Sequence, residues 1–229
     1  MNSETIQARQ VMRGCLLFLS LLLTACATES HRAVDIEKVD SYNTAYTGEK
    51  TTLVVGKFHN RSSYLQGLFS ADSDRLGNQS KTILKTHLQQ TNRFLVVDRE
   101  NLEEIGQEAE YSGVNQEIAG ARYVVTGDVT EFGRKVTGNR QLFGILGAGK
   151  KQTAYAKVSL NIVDVTTSQI VYSTQGAGEY ELSNQEILGT GGTAGYDATL
   201  NGKVLNFAIT EAVNHIVEDI DNCSWKIIF

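Results

Sequence analysis

The stretch that most constrains this chain is "TAYAKVSLNIVDV", from Thr153 to Val165. Ala154, Ala156, Val158, Leu160 and Ile162 fall at period two, with Tyr155, Lys157, Ser159 and Asn161 between them. Side chains on a strand alternate between faces, so the pattern specifies a strand with one buried and one wetter face. A sheet built from such strands needs a cover on one side only. The cover is written near the end of the chain, where "ATLNGKVLNFAITEAVNHIVEDI" sets Leu205, Ile209, Ala212, Ile216 and Ile220 close to helical spacing. This helix is expected to lay that stripe on the sheet and to turn Lys203, Glu211, His215, Glu218 and Asp219 toward solvent or a neighbouring subunit.

The remaining elements follow from shorter patterns. Leu53, Val54 and Val55 form the core of a first strand, and Asn60 to Ser63 supply a turn. "SDRLGNQSKTILKTHLQQT" places Leu76, Ile83, Leu84 and Leu88 on one stripe of an amphipathic helix. "RFLVVDRENL" reads as a strand ending at Asp98, which is suited to cap a helix over Leu102 to Ala109. A short helical segment is expected near Asn115 to Ala119, followed by the strand "RYVVTGDVTEF" and a glycine-rich tip. The return strand spans Ala154 to Val165, "TTSQ" turns the chain, and "IVYST" pairs next. The order β-α-β-α-β-β-β-α predicts an α/β (α+β) fold, a mixed sheet with packed amphipathic helices. Two long hairpin or glycine-rich insertions are expected, near 128–160 and 172–198. The absence of proline permits long strands without gaps in their ladders.

At the other end, Arg9 and Arg13 precede "CLLFLSLLLTAC", an apolar run too short for a membrane span, which needs ~20 residues, but suited to the core of a secretory signal. Leu23-Thr24-Ala25-Cys26 resembles the bacterial lipobox, in which the cysteine is lipidated and becomes the new N-terminus. The alternative is an ordinary signal that ends near a cysteine. Ala27, standing where aspartate would favour inner-membrane retention, points to the outer membrane. The expected organisation is a signal over 1–25, a lipidated tether over 26–50 and a domain over 51–229. The protein would thus be anchored by lipid on the periplasmic face. The whole chain carries a formal charge of −5 without a basic cluster, which argues against nucleic-acid binding. Cys15 leaves with the signal and Cys26 carries lipid, so Cys223 has no partner in its own chain. It is expected to be a small buried or terminal residue, the alternative being a bridge between chains.

Several stretches imitate catalytic or cofactor motifs and fail their context. "LFGILGAGKKQ" holds Gly144, Gly149 and Lys150 at phosphate-loop spacing. It follows a polar segment, has Lys151 where a magnesium-binding hydroxyl belongs, and leads into a strand instead of a helix. "GTGGTAG", Gly189 to Gly195, lacks a convincing strand before it and an acid at the end of a second strand. His31, His59, His87 and His215 lie in four segments without metal-ligand spacing, and each is expected to be a surface or capping residue. Glu103-Glu104 and Asp72/Asp74 read as solvated charge. No catalytic residue, cofactor or metal site is assigned, and the chain does not read as an enzyme.

The lipobox, "VVGKFHNRSS", "QQTNRFLVVDRENLEEI", "ARYVVTGDVTEF", "AKVSLNIVDVTTSQIVYS" and "GGTAGYDATLNGKVLNFAITEAV", taken in order, resemble the curli secretion-channel (CsgG/HfaB) family of outer-membrane lipoproteins. The resemblance spans about Thr52 to Ile220. It implies a periplasmic α/β domain that assembles with copies of itself into a ring, with two hairpins per subunit extending into a membrane β-barrel. It further implies export of fibre subunits without ATP, through a constriction and with an accessory protein. Tyr64 and Phe69 in "SSYLQGLFS" occupy the region of the constriction loop; the alternative is that they pack on the domain. Tyr172, Thr174, Gly176, Gly178, Tyr180 and Leu182 alternate with more polar neighbours, a pattern that partly suits a membrane strand. In the first hairpin, Asp128 and Arg134 fall on one face and Glu131 and Lys135 on the other, so neither face is cleanly apolar. Two functions follow from these readings: a ring or channel that secretes fibre subunits, or a non-pore periplasmic scaffold or regulator of envelope assembly.

Overall fold

The structure is a computed structural model that describes residues 36–64, 74–140, 148–186 and 200–225. The chain divides into Met1–Ile36 and Glu37–Phe229, and the first unit lies almost wholly outside the described residues. In the second, β1 (Thr51–Asn60), α1 (Arg75–Gln90), β2 (Phe94–Val97), α2 (Leu102–Tyr111), β3 (Tyr123–Arg140), β4 (Ala148–Asp164), β5 (Ile170–Glu186) and α3 (Leu200–Asp221) follow in the expected order. The five strands make one sheet, β2-β1-β3-β4-β5. β1 runs parallel to β2 and β3, while β4 is antiparallel to β3 and β5, so the α/β mixed sheet read from the sequence is the one observed.

One face of the sheet is covered. The stripe Ala154, Ala156, Val158, Leu160, Ile162 is buried, together with Leu53, Val55, Val125 and Val129 of the inner strands. Above them lie Leu76, Leu84 and Leu88 of α1 and Val204, Leu205, Ala208, Ile209, Ala212, Val213 and Ile216 of α3. Asp74 ties the first helix to the first strand: its carboxylate accepts from the Gly77 amide at 2.8 Å, as an N-cap, and from the Asn60 amide at 2.7 Å.

Four local expectations are corrected. His87 is buried between α1 and α3; its Nε2 donates to Asn206 Oδ1 at 2.8 Å and its Nδ1 faces Gln90 Oε1 at 3.3 Å. A polar ring at a helix crossing is accommodated because it brings its own hydrogen-bond partners. Asp98 organises the turn before α2 by accepting from the Glu100 amide and the Asn101 side chain, each at 2.7 Å, while Asn101 takes the N-cap position. The helix expected near Asn115 to Ala119 lies in an irregular segment, 114–120: α2 ends at Tyr111, Ser112 is its C-cap and Gly113 adopts φ +66°. Five residues after such a break are too few to nucleate a helix alone. The stretch from Glu37 to Lys50, expected as tether, is docked on the domain. Val39 is buried, the Asp40 amide donates to Asn214 Oδ1 at 3.0 Å, and Asn206 Nδ2 donates to the Glu37 carbonyl at 3.2 Å.

Candidate functional site: a ribbon beyond β1 and the outer edge of β5

The β1–β3 ladder ends at Asn60 opposite Val129, and the Val129 carbonyl is closed off by the amides of Arg61 and Ser62. β3, β4 and β5 continue. Their pairing runs on through Phe132, Ala156 and Gly178 to Arg140, Ala148 and Glu186. The sheet therefore narrows to a three-stranded ribbon. β1 no longer flanks β3 there, and among the described residues no strand pairs with the outer edge of β5.

A register shift between Val129 and Glu131 makes Thr130 the extra residue of a bulge, and a bulge reverses the parity of every later residue. This overturns the expected sharing of faces in the first hairpin. Asp128, Glu131 and Lys135 pair with Ser159, Lys157 and Thr153 on the face away from the helices. Arg134 stands opposite Ala154 on the helix side. On the open face Lys157 pairs with Glu131 at 3.1 Å, Lys151 pairs with Glu181, and the half-exposed Tyr155 ring covers Gly133.

The apolar alternation of β5 has a purpose inside the domain. A Cβ on Gly176 would lie 2.1 Å from the Ala208 carbonyl and 2.6 Å from the Ala212 amide; one on Gly178 would lie 2.7 Å from the Val204 carbonyl. Two side-chain hydrogens thus let α3 rest directly on strand backbone. Tyr180, on the same face, stacks on Phe207 with ring centroids 6.2 Å apart, and Tyr172 donates its hydroxyl to Asp219 at 2.6 Å. Up to Tyr180 the alternation reports this helix contact.

The polar stripe of α3 faces solvent as expected at Glu211, His215 and Glu218, which are exposed, and it also turns over the rim of β5. Glu211 accepts the Ala177 amide, His215 Nδ1 donates to the Gln175 carbonyl at 3.1 Å, and Asp219 holds Tyr172. Lys203 sits over the Tyr180 ring, 4.8 Å from its centre. Four helix residues rise about 6 Å and two strand residues about 6.6 Å, so an i, i+4 series keeps step with an i, i+2 series. The sequence carried the helical spacing of these residues. Only the close approach at Gly176 and Gly178 reveals that they reach an edge.

Of the residues assigned from sequence, Tyr64 packs its ring on Phe132, with centroids 4.7 Å apart. Phe69 and Cys26 lie outside the described residues, as do His31, "GTGGTAG" and the tip 141–147. Gly149, Lys150 and Lys151 are on β4, not at a helix N-terminus. Cys223 is exposed, with φ 57°, in the turn after α3. Among the described residues no group of three His, Cys, Asp or Glu could hold a metal, and no helix is long and apolar enough to cross a membrane.

A one-sided α/β domain that extends three of its five strands as a ribbon is the class that this geometry defines. The model of the family described as curli production assembly/transport component CsgG matches residues 36–227, and the chain belongs to that family. It is 64% identical over 204 residues to the "Putative lipoprotein NMB1126/NMB1164" of Neisseria meningitidis serogroup B; the match covers 89% of this chain and 92% of that protein. Among solved structures, the PelC dodecamer of Paraburkholderia phytofirmans is 14% identical with a TM-score of 0.35, over 79% of this chain and 93% of that one. Lipoprotein GNA1162 of Neisseria meningitidis is 15% identical with a TM-score of 0.36, over 75% and 99%.

Proposed function

We propose that the chain is an outer-membrane-anchored lipoprotein of the curli assembly/transport type, held by lipid on Cys26 and forming an oligomeric ring or channel for secretion of fibre subunits. Membership of the family supports the class of function. The observation that carries the ring is the ribbon. Its two margins, β3 and β5, flank β4 and run on past the end of the β1–β3 ladder. Along its sequence the β3 margin bears Glu131, Arg134 and Lys135, for a net positive charge, and the β5 margin bears Glu179 and Glu181, with Glu131 and Glu181 each paired to a lysine of β4. Opposite charge on the two margins of one unit favours head-to-tail association of copies, which closes into a ring when the rotation permits. Tyr64 and Phe69 are the candidates for a constriction, with secreted fibre subunits and accessory envelope proteins as partners.

One observation favours a second reading, a periplasmic scaffold without a pore. The open face of the ribbon carries the Lys157–Glu131 and Lys151–Glu181 pairs, and charged side chains facing lipid are costly. Conductance across a planar bilayer separates the two. Full-length lipidated protein extracted in mild detergent is compared with Cys26→Ser and with a chain lacking Gly138 to Gln152. Discrete, long-lived steps that vanish on deletion of the tip support the channel. Silence from a folded, oligomeric sample leaves the scaffold.

A further inference from the structure

We propose that Glu211 and His215 form an edge guard: they occupy the outward backbone groups of β5 at Ala177 and Gln175 and so prevent another copy of this chain from adding a strand there. An exposed strand edge is a template for pairing with a second chain, and β5 is a long one, Ile170–Glu186, at the rim of the sheet. The Ala177 amide and the Gln175 carbonyl both point away from β4, since both are bonded to α3. An incoming strand would offer the first an acceptor and the second a donor. Glu211 and His215 supply that acceptor and that donor from one helix face, four residues apart.

The guard is local and has a defined end. On one side Thr174 of β5 borders it, with His215 Nδ1 3.3 Å from the Thr174 hydroxyl. On the far side the Tyr180 ring is held between Phe207 and Lys203, the next positions of the same helical stripe. No main-chain group of β5 past Ala177 receives a side chain of α3 among the described residues, so strand addition is directed to the Glu179–Glu186 span. The inference goes beyond the ring: it concerns which part of an edge is withheld from pairing, whatever the final assembly.

The test compares full-length chains in mild detergent by sedimentation and by amide exchange at Ala177. Glu211→Ala/His215→Ala is expected to lose a fixed size and grow with concentration, with the Ala177 amide protected only in the large species. Adding Ala177→Pro removes the edge donor and is expected to restore the wild-type size. Glu211→Gln keeps an acceptor and is expected to behave as wild type. Glu211→Ala alone, at an exposed helical position, gives the same readout if the double variant unfolds. A folded guard-less chain with the wild-type size distribution at every concentration overturns the inference. Because each variant is read against the wild-type size, a monomeric wild type defeats the ring and leaves this test intact.

Discussion

Arg93 grips Asp221 with a two-pronged contact, Nε to Oδ1 at 3.3 Å and Nη2 to Oδ2 at 2.6 Å, which fixes the last turn of α3 to the loop between α1 and β2. The guanidinium is almost fully buried. Its Nη1 donates to the Thr91 carbonyl at 2.7 Å and to Thr44 Oγ1 at 2.9 Å, and its Cζ lies 5.0 Å from the centre of the Tyr46 ring. One side chain therefore joins the docked N-terminal stretch, the first helix and the last.

A planar fork with this many partners has no isostere. Arg93→Ala is expected to destabilise the domain by about 2 kcal/mol, less than a fully buried pair because Asp221 keeps partial access to water. Arg93→Lys keeps the charge but not the fork and should recover only about half of that loss. Urea unfolding of both variants checks the order; a lysine variant as stable as wild type refutes it.

The contact of α3 with β5 gives a sharper test. Gly176→Val drives side-chain carbon into the backbone of Ala208 and Ala212, so the helix must lift, at a cost of about 3 kcal/mol. At Gly120 a Cβ meets nothing within 4 Å, and Gly120→Ala should change stability by less than about 0.5 kcal/mol. Thermal melts of the pair decide it, and equal stability of the two variants would sink this account of the helix packing.

This contact also marks how far the sequence could be read. Period-two and helical stripes identified the strands, the helices and their order, because each local pattern agrees with its burial. Thr130 was the obstacle in the first hairpin: a bulge has no signature in alternation, yet it moves Asp128 and Arg134 to opposite faces. In the second hairpin the alternation was legible, but its cause was not. Gly176 and Gly178 look equally like membrane-strand residues and like seats for a helix, and only tertiary proximity separates those meanings. His87 was misplaced for a similar reason, since its partners Asn206 and Thr210 are far away in the sequence.

Asp164 ties the turn between β4 and β5. Burial opposes its ionisation, but the amides of Thr167 at 3.0 Å and Thr166 at 2.7 Å, with Arg122 at 2.9 Å, outweigh it and hold the carboxyl below the ordinary range. A depressed folded-state value contributes stability above the unfolded value, and that contribution is lost as pH falls through the folded one. Asp164→Asn should therefore be less stable than wild type near neutrality, with the gap closing below about pH 4. Denaturant titrations from neutral to acid pH measure it; a gap that stays constant contradicts the role of the charge.

No residue of α2 is buried, although Leu102, Ile105 and Ala109 share a stripe. Ile105, Tyr111, Val114 and Ile118 expose large apolar side chains in and just after it. An isolated helix shorter than about 12 residues is marginal in water, so α2 of a lone subunit should open far more readily than α3. Amides 102–111 of the monomer are expected to exchange at least about a hundredfold faster than those of 204–216, which the sheet covers. If assembly covers the α2 stripe, exchange there slows in the oligomer while α3 is little changed. Slow exchange of α2 in a verified monomer would show instead that the helix is held by its own chain.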